Sequence, residues 1–355
     1  MEAGVFLYKS GAEMMKKLTI EDVAQKAGVS KSTVSQFLNK RFKYMSEATK
    51  NRIAEVIEEL NYQPNGLARS LKQNRTHMVG IIVANIDYSL SIQCIRAIEN
   101  ELQRHGIQVI ICNSDENADK ENTHVEALVA RQVDGLIIFP AGDHPSPYTR
   151  LIEAEYPLVF MDRLVEGITT QSLLLDNEMA VKTAIKELTG QGHEAIAILS
   201  LPLGEHAITP RKERMSGYRK AMEEAGLALN DQYVRSVPRE AIASALDELL
   251  SLPQPPTALL AANDLVLGEI LKYANRHSIT IPGQLSVIGI DDAEFARIYN
   301  PAITTIRQPA YEMGMQAAKI MLSLIEDQGA SMPITYRFPP SLQQGQSVQA
   351  PAPKK

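Results

Sequence analysis

Lys31, Ser32, Thr33, Gln36 and Asn39 lie within "GVSKSTVSQFLNK", residues 28–40, a stretch without an acid that runs on into Arg41 and Lys43. Hydroxyl and amide side chains can match the donors and acceptors on base edges, while lysine and arginine neutralise phosphates and release counterions. The chemistry these residue types support is recognition of nucleic acid. No catalytic set accompanies them: there is no Gly-x-Ser-x-Gly, no P-loop and no His-Glu-x-x-His, so no enzyme activity is expected. His105 and His193 each adjoin a glycine at the end of a helical stretch, where capping accounts for them. The two cysteines, Cys94 and Cys112, form no Cys-x-x-Cys. Neither a metal site, a cofactor nor a disulfide framework is expected, and the usage fits a reducing cytoplasm.

A helical frame must hold the basic stretch. Thr19-Ile-Glu-Asp22 has the capping-box form, and Val23, Ala24 and Ala27 follow at helical spacing. Gly28 permits the positive φ of a tight turn, and Ser30 can cap the next helix. Val34, Phe37 and Leu38 give that helix an apolar face, leaving Lys31, Ser32, Ser35 and Gln36 on the other side. A third helix starts at Ser46 and carries the stripe Ile53, Val56, Ile57, Leu60. The spacing predicts a helix–turn–helix with a supporting helix, its second helix offering its N-terminal end to a DNA major groove. Gly66–Gln73 is a short, weak helix former that would be mostly unfolded in isolation.

Charge divides the 355-residue chain in the same place. From Lys16 to Arg75 there are twelve Lys/Arg and six Asp/Glu, a net of +6 in a chain of net −6. A basic module on an acidic body points to a nucleic-acid partner. No apolar run reaches the ~18 residues of a membrane span. Residues 1–15 are expected to be a disordered leader, with Met14 or Met15 as an alternative start.

Residues 17–83 resemble the LacI/GalR family of bacterial transcription regulators. The resemblance is carried by "LTIEDVAQKAGVSKSTVSQFLN", "NYQPNGLARSLKQNRTHMVGII" and, later, "GIDDAEFARIYNPAITTIRQP". It implies a hinge helix within 64–76 that folds on operator DNA, with Leu71 as the apolar wedge that opens the central base step in the minor groove. It implies DNA contacts from Thr19, Lys31, Ser32, Thr33, Gln36, Asn39, Asn65, Ala68 and Leu71. Gln36 departs from the arginine common in relatives, which bears on the operator sequence.

From residue 77 apolar runs alternate with helical stripes, as in a parallel α/β sheet, and they do so twice. "MVGIIVANI" is echoed by "AIAILSLPL", "VDGLIIFPA" by "PTALLAAND", and "LVFMDR" by "SVIGIDD". Two such lobes face one another across a cleft. The fold class expected is an N-terminal all-α helix–turn–helix with a hinge helix, then a two-lobe α/β body similar to type-I periplasmic binding proteins. Its bounds are 16–63 for the DNA-binding domain, 64–76 for the hinge, 77–345 for the body and 346–355 for a disordered tail. The segment "NPAITTIRQPAYEMGMQAAKIMLSLIE" should add a strand and a long helix returning to the first lobe, and a last strand is expected near 335–338. Gly345 stands where relatives commonly have an arginine.

The family resemblance also assigns the cleft. "RKERMSGYRKAM" matches an Arg-x-x-Arg-x-x-Gly-aromatic pattern in which Arg214 holds the effector. Asp291 matches an aspartate that accepts ligand hydrogen bonds, and Asn263 a sugar-contacting asparagine. Asp162 and Arg163 end another strand. Ser91, in "DYSLSIQ", replaces a stacking aromatic, and Tyr88 could supply a substitute ring. Asp264 and Asp292 read as caps of the helices that follow them. With Arg163, Arg211 and Arg214 nearby, the cleft is expected to be cationic enough for an acidic sugar. The closeness to Gram-positive sugar-acid regulators suggests a 2-keto-3-deoxygluconate type. The function expected is a cytoplasmic, homodimeric repressor that binds a pseudo-palindromic operator under the control of a sugar or sugar-acid effector. The alternatives are a solute-binding protein of the same body fold and an enzyme using the cleft for sugar chemistry.

Overall fold

The computed structural model describes residues 18–62, 75–142, 144–203, 208–326 and 332–352. It divides into two units, Met1–Thr76 and His77–Lys355. The expected leader and most of the expected hinge, with Asn65, Ala68 and Leu71, lie outside the described residues.

In the first unit, α1 (Ile20–Ala27) opens on the expected capping box. The Asp22 carboxylate accepts the Thr19 N–H at 2.7 Å, and the Thr19 hydroxyl accepts the Asp22 N–H at 3.4 Å. Gly28 closes α1 at φ 61°. The helices α2 (Lys31–Leu38) and α3 (Glu47–Glu59) start on Ser30 and Ser46, whose hydroxyls accept the N–H groups of Thr33 and Thr49. Val23, Ala24, Ala27, Val34, Ile53 and Val56 form the small buried core. Phe37, Leu38, Ile57 and Leu60 pack against it, half-buried.

The second unit contains two six-stranded sheets. The first is built from β1 (Met78–Val83), β2 (Gln108–Asn113), β3 (Gly135–Ile138), β4 (Leu158–Met161), β5 (Gln171–Leu175) and β11 (Thr335–Phe338). The second has β6 (Ile196–Ser200), β7 (Val234–Ser236), β8 (Ala258–Ala261), β9 (Ser286–Ile290), β10 (Thr304–Arg307) and β12 (Ser341–Gln343). The orders are β11-β5-β4-β3-β1-β2 and β12-β10-β9-β8-β6-β7. They are one series repeated, so the echoed segments land on equivalent strands: β1 with β6, β3 with β8, β4 with β9. All pairings are parallel except β10 with β12. The central strands are buried along their whole length, as strands covered by helices on both faces must be.

The helices α4 (Ser89–Arg104), α5 (Ala118–Ala130) and α6 (Ser146–Glu153) belong to the first lobe. α7 (Asn177–Gly190), α8 (Thr209–Glu224), α9 (Ile242–Leu250), α10 (Asp264–Arg276) and the short α11 (Glu294–Ile298) belong to the second. α12 (Ala310–Glu326) returns to pack beside α4. The two helices touch closely at Gly314, where an added Cβ would stand 2.7 Å from the Cys94 carbonyl oxygen. The chain therefore crosses between lobes three times: β5 to α7, β10 to α12, and β11 to β12.

The tail differs from expectation. Residues 346–352 are not frayed but packed along the second sheet. Ser347 is fully buried; its hydroxyl accepts the Thr304 N–H at 2.8 Å and donates to the Val287 carbonyl at 2.5 Å. The Gln349 carbonyl meets His193 Nε2 at 2.9 Å, and His193 Nδ1 lies 2.8 Å from the Thr257 hydroxyl. His193 is thus a buried anchor for the C-terminal segment, not a helix cap. A Cβ on Gly345 would come within 2.5 Å of the Ala302 oxygen, which leaves no space for an arginine. The proline and glutamine content suggested fraying; the backbone groups of Val287 in β9 and Thr304 in β10 supplied partners instead. Ser347→Ala should leave the Thr304 N–H and Val287 C=O unpaired and lower stability by about 1–3 kcal/mol in a urea titration. An unchanged midpoint would contradict this anchoring.

Candidate functional site

The carboxyl ends of β1, β3 and β4 face those of β6, β8 and β9 across the interlobe cleft, where open α/β sheets bind ligands. The cleft holds about 590 Å³ of atom-free space, its open mouth included. Phe139, Leu90 and Ala84 line it from the first lobe, and Leu201, Ile208 and Pro210 from the second.

Two aspartates enter it by equivalent routes. Asp162 follows β4 and Asp291 follows β9, both with left-handed backbones at φ 65° and φ 80°. Each donates its N–H to the next strand, at Leu173 (2.7 Å) and Ile306 (2.9 Å). A non-glycine residue held there stores strain, which is characteristic of functional sites. Burial raises the Asp162 carboxyl above the usual carboxylate range, although Arg163 and Arg214 pull it down. Its Oδ1 is buried with no hydrogen-bond partner, as are Arg163 Nε and Gln308 Oε1. All three residues line the cleft.

The arginines are already engaged. Arg163 Nη2 donates to Glu116 at 2.7 Å, and Nη1 donates to the Pro140 carbonyl at 2.9 Å. Arg211 Nη2 donates to the same Glu116 carboxylate at 3.0 Å from the other lobe. Arg214 Nε donates to Asn177 Oδ1 at 2.8 Å and Nη1 to the Ala262 carbonyl at 2.5 Å, with Asp291 Oδ2 at 3.9 Å. Gln308 Nε2 donates to Asp291 Oδ1 at 2.5 Å. The expectation of a cationic cleft is therefore corrected: every arginine in it has an acidic or carbonyl partner.

Further bonds cross the cleft. Asp264 Oδ2 accepts the Ser89 N–H at 3.1 Å, and the Thr209 hydroxyl accepts the Leu164 N–H at 2.9 Å. Asp264 is not a cap. Asn263 caps α10, accepting the Val266 N–H at 2.9 Å, and this leaves Asp264 free to bridge the lobes. Burial and the neighbouring Asp291 push the Asp264 carboxyl up to about 6. Asp292 does not cap α11 either; it pairs with Arg297 and accepts from the Thr305 hydroxyl at 3.1 Å.

The structure brings Ser91, Asp162, Arg163, Arg214, Asn263 and Asp291 to one cavity. Ser91 is buried in the first turn of α4. Tyr88 also lines the cavity and donates its hydroxyl to Glu116 at 3.1 Å; burial raises it to about 12. Sequence reasoning missed Phe139, Glu116 and Gln308. Phe139 ends the echoed run "LIIFPA", so its place beyond β3 was a usable signal. Glu116 follows β2 in an acidic loop and carried none.

On the first unit, Lys31, Ser32 and Gln36 are exposed on α2, with Thr33 half-buried beside them. The Ser32 and Thr33 hydroxyls lie 2.6 and 2.8 Å from that of Ser30. Lys31 pairs with Glu21 at 2.7 Å, and Asn39 donates to the Ser35 carbonyl at 2.7 Å. Thr19 is exposed, its hydroxyl held in the capping box. Among the described residues no group of acidic, histidine or cysteine side chains could hold a metal, and no helix is long and apolar enough to cross a membrane.

Residues 19–65 match the family described as bacterial regulatory proteins, lacI family, and residues 185–348 a periplasmic binding protein-like domain. The probable HTH-type transcriptional regulator EndR of Paenibacillus polymyxa is 45% identical over 308 residues, 87% of this chain and 91% of its own. The HTH-type transcriptional regulator KdgR of Bacillus subtilis is 29% identical over 320 residues, 89% of this chain and 94% of its own. Among solved structures, the Lac repressor bound to ONPG in the repressed state superposes with a TM-score of 0.82 at 24% identity, covering 94% of this chain and all of that one. A capped helix–turn–helix, a duplicated α/β body and close relatives that are regulators agree: the chain belongs to the lacI family of bacterial regulatory proteins.

Proposed function

We propose that this transcription regulator is a homodimeric repressor whose hold on a pseudo-palindromic operator is set by a hydroxyl-rich sugar bound between the lobes. The observation that carries the effector class is three buried polar atoms without a hydrogen bond: Asp162 Oδ1, Gln308 Oε1 and Arg163 Nε, the last 3.6 Å from Asp162 Oδ2. Two acceptors and one donor suit ligand hydroxyls, which can give and take hydrogen bonds. Phe139 offers an apolar wall for a sugar ring. Ligand that binds one lobe arrangement better than another shifts that equilibrium, and operator affinity shifts with it. Among the described residues no nucleophile is paired with a base in the cleft, which favours binding over turnover.

A thermal-shift screen of neutral sugars and sugar acids tests the effector class. A ligand at ~100 times its dissociation constant adds about 2.7 kcal/mol. Stabilisation by hydroxyl-rich sugars is expected; stabilisation only by purines or amino acids would overturn it.

Gln36, exposed on α2, is expected to help set the operator. Gln36→Arg should change the preferred half-site in selection from random DNA, since a bidentate base contact contributes about 1–3 kcal/mol of discrimination. An unchanged consensus would remove Gln36 from the reading surface.

A further inference from the structure

Glu116 lies outside the cavity lining, yet its three side-chain partners, Tyr88, Arg163 and Arg211, all belong to it. Its carboxylate joins a guanidinium of the first lobe to one of the second, at 2.7 and 3.0 Å. Burial alone would raise this carboxyl; Arg163 and Arg211 together hold it below the usual range. The backbone is committed to this placement as well. Asp115 and Glu116 are consecutive non-glycine residues with positive φ, 53° and 59°, and the Glu116 N–H donates to the Ala84 carbonyl at 2.6 Å. Strain of this kind persists only where the surroundings over-determine it.

We propose that Glu116 is a built-in anion that occupies the cleft's paired guanidinium groups of Arg163 and Arg211, and thereby makes the cleft select neutral sugars over sugar acids. The inference rests on the reading of the cleft as a sugar site. A ligand carboxylate would otherwise find a convergent arginine pair, the arrangement best suited to bind it. With Glu116 in place, that carboxylate must compete for donors already filled and meet a like charge behind them.

The test is calorimetry with D-glucuronate and D-glucose on the full-length protein, on Glu116→Gln and on Glu116→Gln/Arg211→Gln. Glutamine keeps the shape and one acceptor but not the charge. Glu116→Gln should bind glucuronate at least tenfold more tightly than wild type does, glucose affinity should change less than threefold, and the second substitution should cancel the gain. Wild type that binds glucuronate as tightly as folded Glu116→Gln would overturn the proposal, as would a folded variant with no gain. If the variant does not fold, a crystal structure of wild type soaked with glucuronate decides. Glu116 should remain on both arginines; a ligand carboxylate seated on Arg163 or Arg211 with Glu116 displaced would overturn the assignment. A failure of every sugar to alter operator binding would count against the regulator reading and leave this charge comparison standing.

Discussion

Arg214→Ala should destabilise the body by about 3–5 kcal/mol and abolish any response of DNA binding to ligand. Arg214 is buried, and it holds three separate parts of the second lobe and its hinge. Its Nε fixes Asn177, the first residue of α7, its Nη1 fixes the Ala262 carbonyl just beyond β8, and its charge faces Asp291 just beyond β9. Removing one member of a buried pair leaves the other uncompensated, which is the costly case. The large term is thus lost organisation of the cleft, more than a lost ligand contact. Arg214→Lys should recover only part, because an ammonium cannot reach two partners in a fixed fork. Urea denaturation and a DNA-binding titration with ligand check this; a fully stable Arg214→Ala protein that still responds would contradict it.

Asp264→Asn should stabilise the protein at neutral pH by about 2 kcal/mol and make little difference below pH 4. An unfolded aspartate titrates near 3.9. In the fold, burial and Asp291 raise Asp264 to about 6, against the N–H groups of Ser89 and Leu265 and the charge of Arg214. The folded state therefore holds the proton more tightly than the unfolded one. The stability this contributes is fully present below pH ~4 and is lost as pH rises through 6. Asparagine is neutral throughout and keeps one oxygen to accept the Ser89 N–H, while its NH2 cannot accept the Leu265 N–H, which offsets part of the gain. Stability of wild type should fall between pH 4 and 6.5 relative to the variant, each pK unit being worth about 1.4 kcal/mol. Parallel pH profiles for the two proteins would remove Asp264 as the source.

The helix–turn–helix was legible because its signals are local. Thr19, Ser30 and Ser46 cap their own helices, and Gly28 makes the turn two residues before Ser30. The duplication was legible because buried parallel strands write themselves as apolar runs, and equivalent runs end in equivalent aspartates. The cleft's electrostatics were not. The partners of Arg163 and Arg211 meet on Glu116, 47 and 95 residues away in the chain, and no local pattern marks such a meeting. For the same reason Asp264 read as a cap: the Ser89 N–H it accepts lies in the other lobe. Ser347 and His193 were misjudged because composition describes what a tail could do alone, while the backbone groups it meets at β9 and β10 decide what it does in place.

The coupling of the cleft to DNA is tested most directly by fluorescence anisotropy of the purified protein on an operator selected from random sequence, at fixed salt, with and without the sugar that most raises its melting temperature. The account predicts tight binding to the selected site over random DNA of equal length, and at least a tenfold change in that affinity when the sugar is added. Binding that does not distinguish the two DNAs, or an operator affinity that ignores a sugar shown to occupy the cleft, would contradict it.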